Sequence, residues 1–127
     1  MIAVDTSAIM ALLLDEPRGG ACLAVLASEG EKLISAGTLA ELLVVARRRD
    51  RVEEVARILD ELDLVVVSLT PTSALRVGAA YDRWGKGVHP AGLNLGDCFA
   101  YAVAEEYGCP LLYVGEDFAK TDINSVL

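Results

Sequence analysis

Short runs of β-branched and apolar residues alternate with longer helical stretches along this chain, and that alternation leaves few folds open. Four segments predict strands: Ile2–Val4, Lys32–Ser35, Leu64–Leu69 and Leu111–Val114, with Ile123–Val126 a candidate short fifth. Between them the chain predicts helices. Thr6 or Ser7 is placed to cap one running to about Leu14. Pro17 and Gly19-Gly20 break the chain before another over 21–29. Gly37-Thr38 opens a helix to about Arg49, and a further one covers 52–62. Thr70-Pro71 sets a cap and a proline at the first helical position for a helix to about Trp84. Asn94 caps the last, which Gly108 closes after Tyr107. The expectation is an α/β fold: a mostly parallel central sheet of four or five strands, flanked by helices on both faces. In such sheets ligands gather at the carboxyl ends of the strands.

A chain of 127 residues with a 54% hydrophobic fraction suits one domain, 1–127, with a core of its own. No apolar run reaches the roughly 18 residues needed to span a bilayer. No basic region precedes the first apolar stretch, so a cytoplasmic rather than secreted or membrane protein is expected. Cys22, Cys98 and Cys109 lack metal-ligand or redox-motif spacing and read as reduced, buried small residues. The lone His89 excludes a histidine-rich zinc site. A net charge of −8 argues against gripping nucleic acid over the whole surface. It leaves open an acidic site that engages a phosphate backbone through divalent cations.

Several carboxylates stand where such a site belongs. Asp5 directly follows the first strand; the alternative is a helix cap, although Thr6 and Ser7 are both available for that task. Glu41 is the only charge in the stretch from Leu33 to Ala46, so it either pairs with an arginine or points into a polar or metal-filled cleft. Asp97, three residues after Asn94, fits a capping box. The small residues Ala100 and Ala104 also leave room over its carboxylate, and the helix N-terminus favours the ionised form. Glu116 and Asp117 follow the fourth strand across Gly115, at the same sheet edge as Asp5. Clustered carboxylates without histidine suit hard cations such as Mg²⁺ or Mn²⁺, and metal-assisted phosphodiester hydrolysis is the chemistry they serve best.

Other patterns carry less. The glycines at 85, 87 and 92 do not have the spacing of a phosphate-binding loop, and no histidine is placed to activate Ser7. The run Arg47-Arg48-Arg49 at the exit of the Glu41 helix reads either as a solvated helix end or as a basic lip beside the acidic pocket, where it would hold RNA. Lys86 and His89, in the glycine-rich loop, are further candidate RNA contacts.

At the level of whole motifs, the chain resembles the VapC-type PIN-domain toxins. The resemblance rests on Met-Ile-Ala-Val-Asp-Thr-Ser-Ala at the N-terminus, on Glu41 in its apolar helix, and on the block from Gly85 through Ile123. That block holds Leu93-Asn-Leu-Gly-Asp-Cys-Phe-Ala-Tyr101 and Gly115-Glu-Asp-Phe118, and the match covers essentially the full chain. It implies a PIN-like fold and a Mg²⁺-dependent endoribonuclease that hydrolyses RNA by metal-activated water. It also implies a homodimer silenced by a cognate VapB-type antitoxin. The family's acids fall on Asp5, Glu41 and Asp97, with Asp117 favoured over the adjacent Glu116 for the fourth. Thr6, Ser7 and Asn94 would support them. For the antitoxin, Met10, Leu13 and Leu14 on the first helix offer apolar surface, or else belong to the core.

Two rival classes remain. An aspartate-nucleophile phosphatase built on Asp5 would want an acid two residues on, where Ser7 stands; a phosphoacceptor domain would want paired early acids and a late lysine. A non-catalytic interaction module on the same fold would not need the full set of acids.

Overall fold

A computed structural model describes residues 1–127. The elements run β1 (Ile2–Val4), α1 (Thr6–Leu13), α2 (Gly19–Ala27), β2 (Lys32–Ser35), α3 (Ala36–Arg48), α4 (Val52–Leu62), β3 (Val65–Val67), α5 (Pro71–Trp84), α6 (Leu95–Tyr107) and β4 (Leu111–Leu112), followed by a 3₁₀ turn over Phe118–Lys120. The four strands are parallel, in the order β3-β2-β1-β4. Helices cover both faces, as the alternation predicts. The chain winds outward from β1 to β3 and then returns to place β4 on the far side of β1. The carboxyl ends of β1 and β4 therefore flank the point where the winding reverses, the place in an open α/β sheet where a crevice forms.

Strand parity divides the interior into two cores. Ala3, Leu33 and Leu111 lie side by side in the sheet and face α5 and α6, in one cluster with Val77, Trp84 and Tyr101 of those helices and Phe118 of the 3₁₀ turn. The next row, Val4, Ile34 and Leu112, faces the other way onto Ile9, Cys22, Leu26, Leu42 and Val55 of α1 to α4. All three cysteines are buried. Met10 belongs to the second core, and Leu13 and Leu14 pack half-buried against it.

Three sequence expectations change. The fourth strand covers Leu111–Leu112 rather than Leu111–Val114, since Val114 N–H goes to the Ser7 hydroxyl instead of a neighbouring strand. The fifth strand shrinks to a single bridge, Leu111 with Ser125, held by Leu111 N–H to Asn124 O (2.8 Å) and Val126 N–H to Leu111 O (3.1 Å). The preceding residues are committed to the 3₁₀ turn, which leaves too little chain for a ladder. The third strand ends at Val67 rather than Leu69, because Ser68 already belongs to the approach to α5: its carbonyl accepts from Ser73, which closes a reciprocal cap with Thr70.

α3 and α6 come from opposite faces and meet above the carboxyl edge of the sheet. Their contact is reciprocal. A β-carbon on Gly37 of α3 would lie 2.5 Å from the Phe99 ring of α6, and one on Gly96 of α6 would lie 1.9 Å from Glu41 Oε2 of α3. Each helix thus supplies the missing side chain that admits the other.

Candidate active site

The acids are brought to that edge by different elements. Asp5 directly follows β1 and is the N-cap of α1, a role the sequence assigns to Thr6 or Ser7. The two hydroxyls are used otherwise. Ser7 gives both its N–H (3.0 Å) and its hydroxyl (2.6 Å) to Asp5 Oδ2, while its oxygen accepts from Val114 N–H at 3.0 Å, tying the end of β4 to the end of β1. Thr6 turns its hydroxyl to Glu41 Oε1 at 2.8 Å and so fixes the glutamate of α3 from α1. Glu41 has no arginine partner; it is held between that hydroxyl and the bare backbone of Gly96.

Asp97 is part of a cap as well. Asn94 N–H donates to Asp97 Oδ2 at 3.0 Å and Asp97 N–H donates to Asn94 Oδ1 at 2.8 Å, a complete capping box with aspartate in the third position. The box uses one carboxylate oxygen of Asp97 and leaves the other free. Asp117 and Glu116 separate. The charge of Asp117 is felt at Asp97, whereas Glu116 opens onto a depression shared with Arg18 and the chain's C-terminal residues.

Electrostatics single out Asp5. It is 4% exposed, its Oδ1 has no hydrogen-bond partner, and burial pushes its pKa up to about 6. The two bonds from Ser7 oppose that rise, while the charges of Asp97 and Glu41 add to it. Asp97 is raised too, first by burial against the pull of the Asn94 N–H, then by Asp117 and Glu41. A desolvated carboxylate, short of one partner and facing other carboxylates, is an energetic debt that a cation removes. The donor set is all oxygen, which suits Mg²⁺ or Mn²⁺. No three acids stand as a preformed cage, so binding would draw the side chains in.

Sequence reasoning missed Thr38, one turn before Glu41. It is fully buried, its hydroxyl has no partner, and its carbonyl lies 3.4 Å from the Thr6 hydroxyl. The one available signal was a second polar side chain on the inner side of an otherwise apolar helix. It also missed Gly37 and Gly96, whose use depends on which helix lies opposite.

The basic candidates are set back from the acids. Arg47 and Arg48 stand about 10 Å beyond Glu41 along the axis of α3, at about 1.5 Å per residue. With Arg49, they are exposed at the α3–α4 corner, where Arg47, Arg51 and Arg57 line a depression of about 670 Å³ together with Asp50, Glu53 and Glu54. Lys86 is closer in the fold: its N–H bonds Leu93 O, next to the Asn94 cap, and its side chain is exposed. His89 turns inward, edge-on to Trp84 with ring centres 4.7 Å apart, and its Nδ1 accepts from Ala91 N–H. That is a loop staple.

A parallel sheet with acids at its switch point, reached by helices from both faces, defines a class, and comparison with known proteins gives it a name. The family model described as "PIN domain" matches residues 2–124, and the chain belongs to that family, among the VapC ribonucleases. Ribonuclease VapC30 of Mycobacterium tuberculosis is 41% identical over 98% of this chain and 98% of its own. Among solved structures, Mycobacterium tuberculosis VapC20, described as a sarcin-ricin-loop-cleaving toxin, superposes with a TM-score of 0.77 at 22% identity, over 99% of this chain and 98% of that one. A toxin–antitoxin complex from Klebsiella pneumoniae gives 0.70 at 21% identity, over 96% and 93%. These two show that the fold is shared. No helix is long and apolar enough to cross a membrane.

Proposed function

We propose that this protein is a Mg²⁺-dependent endoribonuclease, with Mn²⁺ able to substitute, and the toxin of a toxin–antitoxin pair. The observation that carries the reading is Asp5: buried, short of one hydrogen-bond partner, and surrounded by Glu41, Asp97 and, through Asp97, Asp117. In this reading those four acids hold the cation. Bound there, the cation supplies Lewis-acid polarisation of a phosphodiester and a water of lowered pKa. The chain's own residues prepare the place. Ser7 keeps one oxygen of Asp5 occupied so that the other faces the site, Thr6 holds the Glu41 carboxylate in place, and the Asn94 cap orients Asp97. Lys86 and the arginines of α3 are proposed to steer the RNA backbone, the arginines at a distance rather than at the scissile bond.

The near-full-length identity to VapC ribonucleases supports an antitoxin of VapB type as partner, and with it a cytoplasmic homodimer. The test is direct. Purified protein is expected to cleave RNA with Mg²⁺ or Mn²⁺ and to stop in excess EDTA, and co-expression with the neighbouring small open reading frame is expected to relieve growth inhibition. Protein inert on every RNA tried, with and without either metal, would instead support a non-catalytic module.

A further inference from the structure

One carboxylate close to the site takes no part in it. Asp122 accepts the Tyr101 hydroxyl on Oδ1 at 2.6 Å, and its Oδ2 lies 3.3 Å from an Arg83 nitrogen. Tyr101 is 1% exposed and fully inside the α5–α6 core, so this hydroxyl reaches the surface only where Asp122 covers it. Glu105 offers a second acceptor at 3.5 Å, too long to compete for the single proton. Burial, then acceptance by Asp122, pushes the phenol up to about 12, so the proton stays on the tyrosine.

The position of this bond gives it a task. Tyr101 follows Asp97 by one turn of the same rigid helix. Asp122 follows Asp117 by the length of the 3₁₀ turn, which is closed by Lys120 N–H to Asp117 O and Thr121 N–H to Phe118 O and is anchored by Phe118 against Tyr113. From Asp97 along α6 to Tyr101, across the hydrogen bond, and back along the turn to Asp117, the path is a closed ring, open only between the two acids. Asp117 itself is exposed, and no side chain holds it directly. Resting on the reading of the four acids as a cation site, we infer that the Tyr101–Asp122 hydrogen bond is a clasp that holds Asp117 opposite Asp97. Both members are positioning residues, with no contact to the cation or the RNA.

The test uses the full chain and two readouts. The first needs no metal: amide exchange at Lys120 and Thr121, compared between wild type and Tyr101→Phe, with α2 amides as the internal control. Removing one oxygen atom leaves the ring packed, and Asp122 is exposed enough to be hydrated, so the variant is expected to fold. Exchange at the two turn amides should speed up about tenfold, with α2 unchanged. The second readout is Mn²⁺ binding without RNA, followed by electron paramagnetic resonance. Tyr101→Phe and Asp122→Ala should each weaken it about three- to tenfold. Asp122→Asn keeps the acceptor oxygen and should stay near wild type, and in an Asp117→Asn background Tyr101→Phe should cost nothing further. Unchanged exchange and binding in Tyr101→Phe overturn the clasp. Equal loss in Asp122→Asn and Asp122→Ala does so as well, since charge and not the bond would then matter. Wild-type protein that takes up no Mn²⁺ overturns the cation reading, a failure told apart by the exchange arm, which needs no metal.

Discussion

At the amino edge of the sheet Lys32 is 8% exposed, nearly as deeply buried as Asp5, at 4%, is at the carboxyl edge. Their surroundings differ in kind. The Lys32 ammonium donates to the carbonyls of Ser28 and Gly30, the latter at 2.9 Å, and so closes the end of α2 with two of its three N–H groups engaged. Asp5 has one oxygen doubly bonded by Ser7 and the other left without a partner, with like charges rather than opposite ones for neighbours. A buried charge that is satisfied belongs to the architecture. One that is left short belongs to whatever completes it.

The sharpest break of this comparison pairs the two residues. Asp5→Asn keeps a good capping side chain but removes the charge. RNA cleavage should fall by about 10³-fold or more, as expected for losing several kcal/mol of metal-centred stabilisation, while the metal-free protein melts at or above wild type at pH 7. Lys32→Met should do the reverse: unchanged cleavage, and a loss of about 1–3 kcal/mol as two carbonyls lose a charged donor. Activity assays and thermal melts of both variants check it. Stability loss without activity loss at Asp5 would put both residues in one class.

Acid should sharpen the same contrast. The folded-state pKa of Asp5 lies at about 6, above its usual 3.8. A group raised by folding favours the folded state while protonated, so its contribution is complete below about pH 4 and is lost as pH rises through 6. At roughly 1.4 kcal/mol per pH unit, ionised Asp5 costs the metal-free fold about 3 kcal/mol at pH 7. Denaturant titrations from pH 4 to 7 in EDTA should show stability declining across that window, with the decline reduced in Asp5→Asn. Several millimolar Mg²⁺ should restore wild type at pH 7 more than the variant.

Gly96→Ala tests whether the α3–α6 contact serves the site or only the packing. An added methyl must displace the Glu41 carboxylate, the mobile end of a long side chain, rather than backbone. The helix itself should gain up to about 1 kcal/mol from losing a glycine. Cleavage should fall by about 10- to 100-fold, in line with the effect of moving a catalytic group by about an ångström. A variant at least as stable and still fully active would assign Gly96 to packing alone.

The smallest effect separates the two tasks of Asp97. Asp97→Asn retains an acceptor for Asn94 N–H and should melt at or above wild type without metal, whereas Asp97→Ala loses the cap at about 1 kcal/mol. Both should be inactive. Melts that place Asn and Ala equally low would make the carboxylate charge itself structural.

Element order and both buried faces were legible because parallel strands covered on two sides must read as short apolar runs, and Ala3 and Val4 divide between the cores by simple parity. The acids Asp5, Glu41 and Asp97 were legible as positions, two at element boundaries and one isolated in apolar sequence. Their partners were not. In Asp5-Thr6-Ser7 any of the three can cap, and only the location of Glu41 and of Val114 decides that Thr6 turns one way and Ser7 another. Glu116 and Asp117 are neighbours in the chain, and the turn that sends their charges to different places is closed by the packing of Phe118. Met10, Leu13 and Leu14 carried a pattern that favoured core over partner surface, and the fold buries Met10 while Leu13 and Leu14 pack half-buried against the same core.

The meeting of α3 and α6 over the sheet edge bears on how this molecule comes apart. Each of the two hydrophobic cores has its own sheet face and its own helices, so each can loosen as a separate cooperative unit. Without metal, the strip where they touch carries mutually repelling acids, and it is the natural line of fracture between the units. On the proposed reading, a cation held there by residues of α3 and α6 would fasten the two together. The ion proposed to serve chemistry would then also couple the opening of the two helical layers that share this sheet.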